Sequence, residues 1–146
     1  MVLPIIKYPD PILKKKAEEI KDPKSPEIRE LVLDIIETME SNGNALGLAA
    51  PQVGRSVRLC VIIFGGKKHI LINPEIKSKS LRKEVMEEGC LSFPEEFFMI
   101  KRHKKVKVRA LDRHGKEIEI KAEGMLARAF QHEIDHLNGI LFIDRK

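Results

Sequence analysis

The chain is predicted to adopt an α+β fold: small mixed or antiparallel sheets packed around a C-terminal metal-binding helix, with an amphipathic helix nearer the N-terminus. Three observations predict it. Apolar residues recur at helical spacing in two separate segments, and apolar and charged residues alternate at strand spacing between them. The second helical segment also contains His132-Glu133-Ile134-Asp135-His136, an H-E-x-x-H pattern. At 146 residues the chain is long enough to bury a core and short enough to be one domain, so residues 1–146 are read as a single unit.

The elements follow in order. Ser25-Pro26 joins a capping side chain to a proline at the first helical position. Ile28, Leu31, Val32, Ile35, Ile36 and Met39 then mark one apolar helix face, and Asn42-Gly43 stops the helix. The stretch Ala45-Leu46-Gly47-Leu48-Ala49-Ala50-Pro51-Gln52-Val53-Gly54 is dense in small residues and reads as a connection. It can bring backbone close to a ligand and offers Gln52 as a lone amide. Strands are expected at residues 57–64 and 69–73, parted by Gly65-Gly66. Cys60 lies inside the first of these as a small core hydrophobe. Cys90 has a different setting: Gly89 before it permits close backbone approach, and Pro94 after it is expected to limit regular structure. Val106, Val108 and Ala110, then Ile118, Ile120 and Ala122, alternate with charged residues around Asp112-Arg113-His114-Gly115, which predicts a hairpin. Leu126, Phe130, Ile134 and Leu137, bounded by Gly124 and Asn138-Gly139, predict the second helix.

The chemistry sits on that helix. His132 and His136 are one turn apart and can aim two imidazoles at one divalent ion. Glu133 lies about 100° further round, beside the ion, where it can accept a proton from a water. Open metal sites generally have three protein ligands, so one is missing. The chain has 2 cysteines, too few for a disulfide scaffold, and a Cys90 thiolate completes a Cys-His-His set.

Three ordered motifs, Leu46-Gly47-Leu48-Ala49-Ala50-Pro51-Gln52, Glu88-Gly89-Cys90-Leu91-Ser92 and Gln131-His132-Glu133-Ile134-Asp135-His136, resemble those of the peptide deformylases, as does the start Tyr8-Pro9-Asp10-Pro11-Ile12-Leu13. The resemblance covers nearly the whole chain. It implies removal of the N-formyl group from formyl-methionyl nascent polypeptides, with release of formate. It implies metal ligation by Cys90, His132 and His136 and a general base and acid at Glu133. Gln52 and the Leu91 backbone N–H are implied as donors to the oxyanion. It further implies a methionine pocket of Leu46, Met125, Ala129 and the His132 ring, and backbone pairing of the substrate with Leu46, Gly47 and Gly89. The implied cofactor is one divalent ion per chain, Fe(II) first, with Zn(II), Ni(II) or Co(II) able to substitute. The chain departs from the family pattern at Ala45, where a glycine is usual, and ends at Lys146 without the further C-terminal helix many bacterial members carry, which removes support for ribosome docking through it.

Bulk properties fit an enzyme of this kind. With 27 basic and 22 acidic residues the net charge is +5, mostly a solvated surface. The basic run 101–105 could touch ribosomal RNA transiently, but no aromatic-rich motif accompanies it, so no specific nucleic acid is expected. No apolar run reaches the ~18 residues of a membrane span, and the N-terminus lacks the pattern of a signal peptide, which predicts a cytoplasmic protein without membrane contact. The residues alone leave two other readings open: a zinc endopeptidase sharing H-E-x-x-H, and a non-enzymatic ribosome-binding protein with a structural metal.

Overall fold

Two antiparallel sheets and two α-helices make up the structure, a computed structural model that describes residues 1–146. In chain order the main elements are α1 (Pro26–Ser41), β1 (Gly47–Ala49), β2 (Leu59–Phe64), β3 (Lys67–Lys79), β4 (Lys83–Cys90), β5 (Phe93–His103), β6 (Lys105–Leu111), β7 (Glu117–Glu123) and α2 (Met125–Leu137). The larger sheet runs β1-β2-β3-β6-β7, and β4 and β5 form a separate pair. Every strand pairing is antiparallel; the one parallel link is an isolated bridge between Glu18 and Val57.

Side chains mark both ends of α1. Ser25 Oγ accepts a hydrogen bond from the Ile28 N–H at 3.3 Å, and Asn42 caps the other end of α1. The apolar stripe of α1 packs on Leu48, Leu59, Val61, Ile70 and Ile72. On the opposite face of the larger sheet, α2 packs on Ala49, Cys60, Ile62, Leu71, Val106, Val108 and Ala122. Successive residues of β2 therefore serve opposite layers, Leu59 and Val61 toward α1, Cys60 and Ile62 toward α2. This is why the segment reads as a continuous apolar run rather than an alternation.

Besides β1, a short strand within the stretch that reads as a connection, and β2, which begins at Leu59 rather than 57, two parts differ from expectation. β3 was expected over 69–73 but starts at Lys67 and continues through Asn73-Pro74 to Lys79. A register shift between Ile72 and Glu75, with φ +53 at Asn73, carries the strand past Asn73-Pro74. The Asn73 side chain substitutes for a backbone partner, accepting from Ile20 N–H and donating to Ile20 O, both at 2.9 Å. The second difference is the β4–β5 hairpin, in a region expected to be irregular around Pro94. Glu88 pairs with Phe98 and Cys90 with Phe93, so residues 94–97 bulge out opposite Gly89 alone. Proline needs no ladder hydrogen bond in such a bulge. The β6–β7 hairpin forms as expected, with Val106 opposite Ala122, Val108 opposite Ile120 and Ala110 opposite Ile118.

Cys60 is fully buried among apolar side chains, and burial pushes its thiol well above the ordinary range. Cys60→Ser should lower the unfolding free energy by about 1–3 kcal/mol, the cost of a buried hydroxyl without a partner, in urea titrations. Metal content should stay at the wild-type level.

Candidate metal centre

Gly124, at φ +67, turns the chain out of β7 into α2. At the far end, Arg58 holds the helix terminus, donating from Nη1 to Leu137 O and from Nη2 to Asn138 Oδ1, each at 2.8 Å. Between these ends every residue from Ala127 to Leu137 is buried, the polar ones included. The larger sheet covers one side of α2, and Leu141 and Phe142 of the C-terminal segment join Phe93 and Ile100 of β5 in a further apolar cluster. His132 and His136 project from the same face with ring centres 5.1 Å apart.

The third donor comes from the end of β4. The bulge opposite Gly89 breaks the ladder just before Cys90, so its thiol reaches across to α2. Cys90 Sγ lies 3.4 Å from His136 Nε2, and the donor atoms of Cys90, His132 and His136 are all within 4.8 Å of one another. A tetrahedral ion with one thiolate and two imidazole ligands keeps its donors about 3.3–3.6 Å apart. The soft-and-borderline donor set, its spacing and the absence of a fourth protein ligand suit an open divalent-metal site.

Glu88 sets the orientation of His132. His132 Nδ1 lies 2.9 Å from Glu88 Oε1, which leaves Nε2 for the site. Arg102 grips both Glu88 oxygens, at 2.6 and 3.0 Å, and Arg128 binds Oε2 as well. Arg102 also donates from Nη1 to Asp135 Oδ2 at 2.9 Å. Burial alone would raise the Glu88 carboxyl, but the hydrogen bonds from His132 and Arg102 bring it down to about 2. Burial likewise works against a charge on His132, yet Cys90, Glu133 and Glu88 raise its pKa to about 10. His136, with no such partner at Nδ1, is depressed well below the usual imidazole value by burial.

Glu133 has the opposite environment to Glu88. Its Oε1 is buried with no hydrogen-bond partner, and burial lifts its carboxyl to about 7. Its Oε2 lies against Gly47, where an added Cβ would sit 2.6 Å away, so any larger residue there would have to displace the Glu133 carboxyl. Gln52 follows β1 in a short 3₁₀ turn, Ala50–Val53. The Ala49 N–H donates to Gln52 Oε1 at 3.0 Å, which directs Nε2 toward Ser92 Oγ at 3.2 Å and Cys90 Sγ at 3.4 Å. Leu91 sits in the tight β4–β5 turn, and its backbone N–H makes no intramolecular hydrogen bond.

A cleft of about 570 Å3 collects these groups. Leu46, Gly47, Gln52, Gly89, Cys90, Leu91, Met125, Ala129, His132 and Glu133 all line it. His136 alone of the expected site residues does not, and it meets the site through Cys90. Ala45 is half-buried in the same wall. The sequence reading missed Arg102, Arg128 and Ser92 and gave no role to Glu88 or Asp135. It also treated 101–105 as a surface basic run, whereas Arg102 is buried between two carboxylates and Lys104 lies near Glu84 and Glu123.

Three converging metal donors beside an unpartnered carboxyl in a cleft would equip a bound ion to hydrolyse a bond, and the class so defined is a metal-dependent hydrolase. Comparison with known proteins narrows the class. The polypeptide deformylase family matches residues 2–146. A peptide deformylase of Thermodesulfovibrio yellowstonii is 51% identical, with 99% of this chain and 88% of the relative covered. One from Halothermothrix orenii is 49% identical, with coverage of 99% and 93%. The crystal structure of peptide deformylase from Thermotoga maritima superposes with a TM-score of 0.95 at 43% identity, covering 99% of this chain and 97% of that one. A Synechococcus elongatus peptide deformylase in complex with actinonin has a TM-score of 0.94 at 38% identity, covering 98% and 78%. The chain belongs to the polypeptide deformylase family.

Cys90→Ser should abolish stoichiometric metal binding, measured by elemental analysis of purified folded protein; equal metal in variant and wild type would remove Cys90 from the ligand set. Ligation needs a neutral imidazole, so the proton favoured on His132 has to leave. Metal uptake at neutral pH should therefore release protons, seen as a binding heat that depends on the ionisation enthalpy of the buffer, and affinity should weaken as pH falls.

Proposed function

We propose that residues 1–146 form one catalytic domain that hydrolyses the N-formyl group of formyl-methionyl nascent polypeptides and releases formate. Family membership supports the reaction, and one observation carries it in this chain: Cys90, His132 and His136 converge while Glu133 keeps a buried oxygen without a protein partner. Cys90, His132 and His136 would hold the ion, and when bound it supplies Lewis acidity, which lowers the pKa of water towards about 7.

Glu133 takes the proton of the attacking water as oxygen adds to the formyl carbon. It then delivers that proton to the amine nitrogen as the C–N bond breaks. Burial suits the group to both steps, because a carboxyl near neutrality can accept and return a proton. A neighbouring cation favours the carboxylate, which readies it as the base. Charge that develops on the formyl oxygen meets Gln52 Nε2 and the Leu91 N–H. Gln52 needs no reorganisation for this, since Ala49 and Ser92 already fix its amide.

The methionine side chain is assigned to the part of the cleft formed by Leu46, Met125, Ala129 and the His132 ring. Leu46, Gly47 and Gly89 offer main chain to the peptide, and β1 is an edge strand paired only with β2. Backbone recognition tolerates varied sequence after methionine. Fe(II) is the proposed resident ion, with Zn(II), Ni(II) or Co(II) as substitutes, and anaerobic purification with metal analysis tests that order. No helix of the structure is long and apolar enough to cross a membrane. The proposed partners are formyl-methionyl nascent chains, met in the cytoplasm with at most transient contact with the ribosome and no specific nucleic acid.

The decisive assay is formate release from a formyl-Met tripeptide alongside cleavage of an unformylated peptide with internal bonds. Formate without internal cleavage is expected; the reverse would make the chain an endopeptidase. Glu133→Ala should keep one metal per chain and lose about 10²–10⁴-fold in turnover, the usual contribution of a general base. His132→Ala and His136→Ala should lose the metal instead. Gln52→Leu should lower kcat about 10²–10³-fold with little change in KM, the signature of an oxyanion donor.

A further inference from the structure

Arg145 lies in the C-terminal 3₁₀ turn Phe142–Arg145, and its side chain is 42% exposed. Its guanidinium nevertheless grips Asp135 on α2 twice, Nε to Oδ2 at 2.6 Å and Nη2 to Oδ1 at 2.9 Å. The turn does not need this contact to stay in place. Leu141 and Phe142 are buried in their own cluster, and Asp144 closes the turn by accepting from Leu141 N–H at 2.9 Å.

What the contact does is complete a chain of charges. Asp135 Oδ2 takes Nη1 of Arg102, and Arg102 spends its remaining donors, Nε and Nη2, on the two oxygens of Glu88. Glu88 Oε1 meets Nδ1 of His132. Arg102 thus divides one guanidinium between two buried carboxylates, and the division is balanced only while Asp135 has a second cation. Without Arg145, Asp135 Oδ1 loses its only hydrogen bond, and the attraction of Asp135 for Arg102 competes with that of Glu88.

We infer that Arg145 is a positioning residue of the metal centre, holding the His132 imidazole in its ligating orientation through Asp135, Arg102 and Glu88. The inference rests on the ligand reading of Cys90, His132 and His136, and its test needs no turnover. Partners bonded directly to a ligating histidine are typically worth about 10–100-fold in metal affinity, and a group further removed less.

The full-length protein is loaded with Co(II), and release to excess chelator is followed by the thiolate-to-cobalt absorption band in wild type, Arg145→Ala, Arg145→Lys, Asp135→Asn and the Arg145→Ala/Asp135→Asn double variant. Arg145→Ala should release the ion about 3–10-fold faster and shift the Co(II) ligand-field bands. Arg145→Lys, which keeps the charge but not the fork, should fall between. In the Asp135→Asn background, removing Arg145 should add nothing. Unchanged release and spectrum in Arg145→Ala, with only a lower Tm, would make the contact merely structural and overturn the inference. So would an undiminished Arg145 effect in Asp135→Asn, or a wild type that takes up no Co(II). Formate release by the wild type is measured separately: normal Co(II) uptake without formate overturns the proposed reaction and leaves the role of Arg145 standing.

Discussion

The pairing of Glu88 with Arg102, Arg128 and His132 is the interaction on which the rest of the structure depends. It joins β4, β5 and α2 in one buried knot, with the Glu88, Arg102 and Arg128 side chains at most 5% exposed. Buried ion pairs often add little net stability over apolar packing, but breaking one strands an uncompensated charge at a typical cost of about 3–5 kcal/mol. The value of this knot lies in registration. The β4–β5 pair forms no ladder with the larger sheet, and where its Cys90 end meets α2 is set by this charge knot together with the apolar cluster around Phe93, Ile100 and Phe142 and the hydrogen bonds of Gln131 to the His103 backbone. The sign of the linkage follows from the depressed Glu88 carboxyl. Its contribution is complete above the ordinary glutamate range near about 4.3 and fades as pH falls toward about 2.

Two glutamates flank His132, and the structure treats them oppositely. Glu88 is surrounded by cations and remains an anion; Glu133 is buried with one oxygen unpartnered and is pushed toward neutrality. Residue type is the same, so environment alone divides the work. The first holds a ligand in place, while the second is the group able to exchange a proton near neutral pH. The same division explains why Gly47 has no side chain: Glu133 occupies the space a methyl would take.

Much of this was legible in the sequence, and the limits are physical. The helix of 26–41 and the β6–β7 hairpin each bury one periodic face, so period identifies them, and α2 is legible from its apolar spacing between Gly124 and Asn138-Gly139 although it is buried all round from Ala127 to Leu137. The histidine pair is local, one turn apart, and thus readable; Cys90 could be offered as the third donor from its setting and the family motif, but its distance to His136 depends on a bulge that the sequence does not reveal. The β4–β5 hairpin was hidden because most of its residues are charged or exposed, and because Pro94 and Glu95 fall in the bulge that the pairing tolerates. Arg102 was misread for a related reason. In the run Lys101-Arg102-His103-Lys104-Lys105, alternation along β5 turns one arginine inward to Glu88 and Asp135, and composition cannot tell it from its solvated neighbours.

The bare walls of the cleft have a common origin. Gly47 and Gly89 belong to different sheets, and beside each a side chain occupies the space a Cβ would take, the buried Glu133 in one case and the exposed Phe97 ring, 2.7 Å from an added Cβ, in the other. Phe97 can lie there only because the 94–97 bulge carries it over the hairpin. Packing requirements on two unrelated residues therefore strip side chains from both sides of the same opening. What remains is backbone, at the edge strand β1 and at the end of β4, facing a gap between sheets that no strand of the chain fills. An extended peptide can satisfy such edges with its own main chain, whatever its side chains. In the proposed reaction its first side chain would meet the apolar wall of Leu46, Met125 and Ala129, and its formyl end would reach Glu133. Tolerance for downstream sequence and selectivity for formyl-methionine would then come from one geometry, the bare backbone at Gly47 and Gly89.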